Sequence, residues 1–490
     1  MTPTLRNTDA GVLSVSLQID TRPIWLILAI KSLRPAFFLV LASLFLYFIS
    51  MPAPVGLSIE GQRAIAVFLL CLVLWISNAI PLAITGILAI VLVPVLGILP
   101  NKVTYSLFGN EAVFFILGAF ILAGAVMHSG ISNRLALYIL DRFGGSPRGL
   151  LITVFLLAAA LSFIMSEHAV AAMLFPIVIE ISKSLGLKPG KSNYGKLLFF
   201  SMAWGCIIGG VATFLGGARV PLAVGILKET TGSQIGFLDY SIAVFPLVVI
   251  LLVAGYMLLT RIFPIDIAGV EEAHGVLKKR LKALGKLSFS EYSVGAVLAI
   301  TVFAWIVLGE KFGLAAIALA SVVALFVFRM VRWKDIEEYV NWGIILMYGG
   351  AIVLGSALDK SGAAKWLVGM AIGDWASEPW AAFALFSFLS ILLTAAMSNA
   401  AVIAVLLPVS IGMAQTLSID PVILTYAIAV PAGLDFMFPM GTPAIAIAAS
   451  SNYITVKESA RGGFVMFVTA WVVFNLVAAL WWPLIGMGYR

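Results

Sequence analysis

The chain has 490 residues, of which 62% are hydrophobic and only 11% charged, with a formal net charge of +7 and a mean hydropathy of +1.10. Ordinary soluble domains are roughly 45–50% apolar and about 25% charged, so this composition excludes a soluble globular protein and points to the membrane. The two cysteines, Cys71 and Cys206, lie in apolar segments and offer neither a disulfide framework nor a metal site.

A membrane-spanning helix needs about 20 apolar residues, so the chain has room for on the order of ten or more spans. Its first residues mix Arg6, Asp9, Asp20 and Arg22 with apolar side chains and lack a compact apolar core ending in a cleavage site. Residues 1–34 therefore read as a cytosolic tail rather than a signal peptide. Spans are expected near 35–52, 62–80, 82–99 and 112–130, followed by a basic amphipathic stretch at 131–148 and a turn-back at 149–182. An interrupted span at 197–226, a span at 241–263 and a charged loop at 264–291 come next. The second part repeats the plan: spans at 292–309, 313–330 and 340–358, an amphipathic stretch at 359–376, a turn-back at 379–415, an interrupted span at 421–449 and a last span at 462–487. The expectation is an all-α polytopic membrane protein of about eleven transmembrane helices plus two re-entrant hairpins. Its first repeat covers 35–263 and its second 292–490.

This layout satisfies the positive-inside rule. With a cytosolic N-terminus, 22 of the 30 Lys and Arg residues fall inside, among them Lys183, Lys188, Lys191, Lys196 and the Lys278-Lys279-Arg280-Lys282-Lys286 cluster. Seven fall outside and Arg219 falls within a span. Counting the hairpins as full crossings would reverse some basic loops. The lysine cluster could be a partner or nucleic-acid patch, but a short basic loop in a membrane protein is more commonly a topology determinant. Trp333, Trp342, Trp481 and Trp482 read as interfacial anchors.

One turn occurs twice. Phe163-Ile164-Met165-Ser166-Glu167-His168 leads to Pro176, and Ala395-Ala396-Met397-Ser398-Asn399-Ala400 leads to Pro408. Ser166 to Ser398, Pro176 to Pro408, Gly118 to Gly350 and Ser129-Gly130 to Ser361-Gly362 are all 232 residues apart. An odd number of spans per half makes the repeats inverted. Inverted repeats with interrupted segments at matching positions point to the binding site of a secondary transporter. The interrupted spans are Ile208-Gly209-Gly210 through Thr213 to Arg219-Val220-Pro221, and Asp435 through Phe438-Pro439-Met440-Gly441-Thr442-Pro443. Half-helix N-termini there would offer free amides to an anion. The bland alternative is that the glycines only permit close helix packing.

From about residue 60 onward the chain resembles the divalent anion/sodium symporter family of dicarboxylate, citrate and sulfate carriers. The resemblance rests on Phe114–Ala123 leading to Ser129-Gly130, the two tips, Ile208-Gly209-Gly210 with Thr213, and Phe438–Pro443. It implies a homodimer in which each subunit has a scaffold and a mobile transport part, working by an elevator motion, with no enzymatic activity. It also implies substrate contacts at Ser166, Glu167, His168, Arg219, Ser398, Asn399, Ala400, Thr442 and Pro443. Ion coupling would fall to Ser398, Asn399, Gly209, Asp435 and His168, with a sodium site at Ser398 and Asn399 and Na+ or H+ as the coupling ion. The departures are informative. The family's tips carry Ser-Asn-Thr, where this chain has Ser166-Glu167-His168 and Ser398-Asn399-Ala400. Its broken helices read Thr-Pro-Pro-Asn, where this chain has Gly217-Ala218-Arg219-Val220 and Thr442-Pro443-Ala444-Ile445.

Four ionisable groups thus sit at the expected midplane: Glu167, His168, Arg219 and Asp435. Each would cost at least ~2.5 kcal/mol if lipid-exposed and unpaired, so they should pair or face a cavity. The family architecture brings the first tip against the first broken helix, making Glu167–Arg219 the expected pair. Arg219 would then stand where a sodium ion would be, hold a substrate carboxylate or sulfate bidentately, or form a purely structural salt bridge. His168 is the natural proton switch, and Asp435 a second candidate proton carrier. The expected function is secondary transport of a C4-dicarboxylate-like or sulfate-like anion across the inner membrane, sodium- or proton-coupled. Sodium-independent anion exchange and cation/proton antiport remain the alternatives. An intramembrane hydrolase lacks support, because Ser166 and His168 have no nucleophile elbow around them.

Overall fold

The computed structural model describes residues 4–6, 14–16, 24–371, 378–439 and 441–488, with side chains from Leu33 onward. Most of the tail, residues 372–377 at and just past the end of the second amphipathic stretch, Met440, Tyr489 and Arg490 lie outside the described residues. The chain forms two units, Met1–Pro52 and Ala53–Arg490. In the first, strands β1 (Thr4–Arg6) and β2 (Ser14–Ser16) pair antiparallel with Leu5 opposite Val15, and helix α1 spans Ile24–Ser50. That helix begins ten residues before the expected end of the tail.

The second unit is helical throughout its described residues. It opens with α2 (Ile59–Ser77), α3 (Leu82–Val95), α4 (Asn101–Phe108), α5 (Glu111–Ser129) and α6 (Ile131–Phe143). A helical hairpin, α7 (Pro147–Ser162) and α8 (Glu167–Ser184), precedes a broken pair, α9 (Asn193–Gly210) and α10 (Arg219–Thr231). Then come α11 (Phe237–Ile262), α12 (Glu271–Ala283), α13 (Phe289–Phe312), α14 (Leu314–Val327) and the short α15 (Trp333–Ile336). The element order of the first part then recurs as α16 (Trp342–Lys360), α17 (Ala363–Ala371), the hairpin α18 (Pro379–Thr394) and α19 (Asn399–Leu417), and the broken pair α20 (Pro421–Ala429) and α21 (Pro443–Ser450). The last helix is α22 (Val456–Leu480).

By length and composition eight of the described helices can cross a membrane, and five shorter apolar ones accompany them. The expected loop 264–291 contains a helix, α12, because Glu271 and Glu272 open it and Arg280 and Lys282 close it, matching the helix dipole at both ends. Trp482, expected as an interfacial anchor, is buried instead. Its Nε1 donates to the Ala243 carbonyl at 3.1 Å, and its ring packs against Phe383, Tyr426 and Phe474.

Local sequence explains most boundaries. Ser58, Asn110, Ser146, Ser398, Asp420 and Thr442 cap helices through their side chains, and Ser288 with Glu291 and Thr455 with Glu458 form reciprocal capping boxes. The repeated Ser-Gly turns after α5 and α16 need a left-handed residue. Gly130 and Gly362 supply it, at φ +84° and +73°.

Two helix crossings rest on absent side chains. A Cβ on Gly350 of α16 would run into the backbone of Gly86 on α3, and one on Gly209 of α9 into the backbone of Ala159 on α7. Small residues at both faces let these backbones approach, as helices in lipid require. Replacing Gly350 by Val should destabilise the protein by about 1–3 kcal/mol through overpacking. Thermal unfolding in detergent should show this, whereas Gly369→Ala, at a position open to space within α17, should not lower the transition.

Candidate functional site: two hairpin tips at two helix breaks

The tip of the first hairpin plugs the first break. Residues 163–166 make the turn, and Glu167 is the first residue of α8. Its backbone N–H, which has no partner within the helix, donates to the Gly216 carbonyl at 3.0 Å. Thr213 in the break donates through its hydroxyl to the Phe163 carbonyl of the turn at 2.6 Å, and accepts from the Leu215 amide.

Arg219 opens α10, where the positive end of the helix dipole disfavours a cation. Three features offset that cost. Its Nη2 donates at 2.5 Å to the carbonyl of Gly210, the last residue of α9 and so at the negative end of that helix. Its Nη1 lies 3.6 Å from Glu167 Oε2, with both side chains buried, 1% and 3% exposed. Glycines make room for it: a Cβ on Gly217 or Gly433 would overlap the guanidinium, and one on Gly210 would press on the Glu167 carboxylate. Gly433 belongs to the second break, so the Arg219 side chain is where the two breaks meet. The expected Glu167–Arg219 pair is therefore present in the structure.

The second tip is seated in the same way by different chemistry. Ser398 caps α19, its hydroxyl accepting from the Ala401 amide at 3.3 Å. Oriented to suit its neighbours, the Asn399 amide nitrogen donates to the carbonyls of Ala432 (3.2 Å) and Gly441 (3.1 Å). Thr394 also reaches the Ala432 carbonyl at 3.2 Å. Thr442 caps α21 ahead of Pro443, and Ala400 is buried behind the tip. Asp435 is buried in this break; Oδ1 accepts from the Met437 amide, while Oδ2 has no hydrogen-bond partner among the described residues. A Cβ on Gly441 would meet both that Oδ2 and the Thr394 carbonyl, so oxygen atoms crowd together here.

The remaining expected residues differ in placement. His168 lies one residue beyond Glu167, its Nδ1 buried and without a partner among the described residues. Gly209 faces Ala159 at the helix crossing. The Ser166 hydroxyl makes no capping bond and instead lines a small cavity of about 10 Å³, with Ile116, Phe120, Leu215, Gly217 and Ala218. That is about the space of one water. A second cavity of about 300 Å³ lies beyond the rings of Phe115 and Phe214, walled by Phe237 and Trp305 and by the Lys228–Glu111 ion pair (2.6 Å). It touches neither tip. Sequence reasoning missed Thr394 and Gly433, since nothing local marks a residue as the partner of a group in a distant segment.

A sequence profile for the sodium:sulfate symporter transmembrane region matches residues 33–488. The chain belongs to this family. It is 27% identical over 450 residues to the sodium-dependent dicarboxylate transporter SdcS of Staphylococcus saprophyticus, covering 86% of each protein. The Staphylococcus aureus protein of the same name is 27% identical over 453 residues, covering 87% of this chain and 85% of that one. Among solved structures, the Alcanivorax borkumensis YdaH transporter superposes with a TM-score of 0.50 at 15% identity, covering 78% of this chain and 88% of that one. The likeness to YdaH bears on the fold alone. The resemblance read from the tips and breaks thus agrees with the family match.

Arg219→Met should leave the Glu167 carboxylate buried without its cation, a change that typically costs about 3–5 kcal/mol. The double variant Glu167→Gln/Arg219→Met removes both charges and should regain much of that loss. Thermal unfolding of both variants in detergent measures the coupling; additive losses would show that the pair is not energetically linked.

Proposed function

We propose that this family member is a secondary active transporter of divalent anions of the C4-dicarboxylate class. It would work in the cytoplasmic membrane with its N-terminus in the cytosol. Its two halves would be inverted repeats, and the functional unit a homodimer whose hairpins and broken helices move against a scaffold in an elevator motion. The recurrence of element order from α5–α10 in α16–α21 supports the repeat, and the relatives named dicarboxylate transporters support the substrate class.

The observation that carries the reading is the Arg219 guanidinium at the meeting of the two breaks. It is wrapped by Gly210, Glu167 and the two glycines, and it does not line the small cavity beside Ser166. That arrangement suits a resident cation better than a direct clamp on the substrate. The substrate's carboxylates would instead meet the Ser166 hydroxyl and the helix N-termini at Ser398-Asn399-Ala400 and Thr442-Pro443.

The ionisable groups at the breaks favour cation coupling. When ionised, Arg219 contributes +1 and Glu167 and Asp435 −1 each, so the three sum to −1. A dianion entering that environment requires compensating positive charge. The oxygen cluster of Asp435, Thr394, Ala432 and Gly441 offers hard ligands of the kind sodium prefers, leaving the first half to its arginine. A second reading, sodium-independent exchange, is favoured by one observation: the Asn399 amide already donates to the Ala432 and Gly441 carbonyls.

Uptake of labelled succinate into proteoliposomes tests the reading. An imposed sodium gradient should drive accumulation, and Asp435→Asn should reduce that stimulation at least tenfold, about 1.4 kcal/mol. Uptake that ignores sodium but requires succinate on the opposite side would establish exchange. No succinate uptake under a sodium gradient, a proton gradient or counterflow would overturn the substrate class and bring sulfate forward.

A further inference from the structure

The short helix α12 has two faces of opposite character. Ala273 and Leu277 are buried, and at 3.6 residues per turn they fall on the side opposite Lys278, Lys279 and Lys282, which are exposed. The buried side docks on α6 and on α8, the helix that carries Glu167 at its start. Acidic groups on those neighbours are already engaged with α12: Glu180 of α8 pairs with Arg280 at 2.6 Å, and Asp141 of α6 lies 3.6 Å from His274. Glu271 and Glu272 sit at the far end of α12, in its first turn. Among the described residues, Lys278, Lys279, Lys282 and the nearby Lys286 pair with no carboxylate.

The lysines are held in place. Arg134 donates to the carbonyls of Leu284 (3.1 Å), Gly285 (2.8 Å) and Lys286 (3.2 Å) and binds Glu291 through two bonds, fixing the turn from α12 into α13. Three residues beyond Lys286, α13 begins as an apolar span, with Leu287, Phe289 and Tyr292 exposed at its foot. Four exposed lysines, unpaired among the described residues, therefore stand on a fixed backbone beside the apolar foot of α13.

We propose that this surface binds the headgroups of anionic phospholipids in the leaflet it faces, with Leu287, Phe289 and Tyr292 set against the acyl chains. A cluster of lysines next to a membrane-spanning helix is drawn to an anionic leaflet by its negative surface potential. Here the apolar foot adds the contact that a protein or nucleic-acid partner in the cytosol would not use. Because α12 is strapped to α8 by Arg280–Glu180, the bound lipid also braces the hairpin that carries the first tip. This inference does not depend on which anion is transported.

The test uses the full-length protein in detergent, titrated with short-chain phosphatidylglycerol or phosphatidylcholine and followed by thermal unfolding. The wild type should be stabilised by phosphatidylglycerol alone. The variant Lys278→Gln/Lys279→Gln/Lys282→Gln/Lys286→Gln should unfold normally without lipid and need at least tenfold more phosphatidylglycerol. A control with the same net charge, Lys183→Gln/Lys188→Gln/Lys191→Gln/Lys457→Gln, should respond as the wild type does. Should the fourfold variant fail to fold, Lys279→Glu/Lys282→Glu makes the same change in net charge at two positions instead of four, with the same expected direction. An undiminished response in the α12 variants, or an equal loss in the control, would overturn the proposal in favour of diffuse charge attraction.

Discussion

A guanidinium taken out of water at the N-terminus of a helix is unfavourable twice over, once for desolvation and once for the helix dipole. Arg219 is held in that position, and much of the surrounding geometry follows from what it needs. Its Nη2 takes up a carbonyl that the end of α9 leaves without an intrahelical partner. Glu167 supplies the opposite charge from the hairpin tip, and glycines at 217 and 433 clear the space. The tip is fixed in turn by the Glu167 amide on Gly216 and the Thr213 hydroxyl on Phe163. Removing one of these groups leaves another buried polar group without a partner, which makes the cluster cooperative.

The two halves solve the same steric problem with different chemistry. Each hairpin tip sits in the break of its own half and satisfies backbone groups that an interrupted helix exposes. In the first half this is done with an ion pair, and in the second with the neutral Asn399 amide, Thr394 and the caps of Ser398 and Thr442. The two halves thus differ in the groups that seat their tips, a buried ion pair in the first and neutral amide and hydroxyl groups in the second.

Away from the breaks, long side chains tie elements together at their ends. Arg134 gathers the α12–α13 turn, Lys196 meets Glu458 at 2.6 Å across α9 and α22, and Lys228 meets Glu111 across α10 and α5. Partly exposed pairs such as Lys228–Glu111 contribute little to stability individually. Their role is to set where helix ends stand relative to one another, which in turn shapes the cavity bounded by Phe115, Phe214, Phe237 and Trp305. On its wall the rings of Phe115 and Phe214 meet edge to face, with centroids 6.1 Å apart.

The sequence by itself determined the membrane class, the hairpins, the breaks and the repeat, because apolar run length, Gly-Pro punctuation and a constant 232-residue offset are properties of the linear chain. It also singled out Glu167, Arg219 and Asp435, since an ionisable group in an apolar segment is conspicuous wherever it points. It did not reveal the helix within 264–291, where the charges masked an amphipathic face, nor the burial of Trp482, whose place next to Trp481 looked like an interface. Tertiary structure alone decided that Gly433, 214 residues after Arg219, makes room for its guanidinium, that Thr394 shares the Ala432 carbonyl with Asn399, and that Gly209 faces Ala159. These contacts depend on how two breaks distant in sequence cross in space. A glycine looks the same in the chain whether it admits a neighbouring helix or a buried cation.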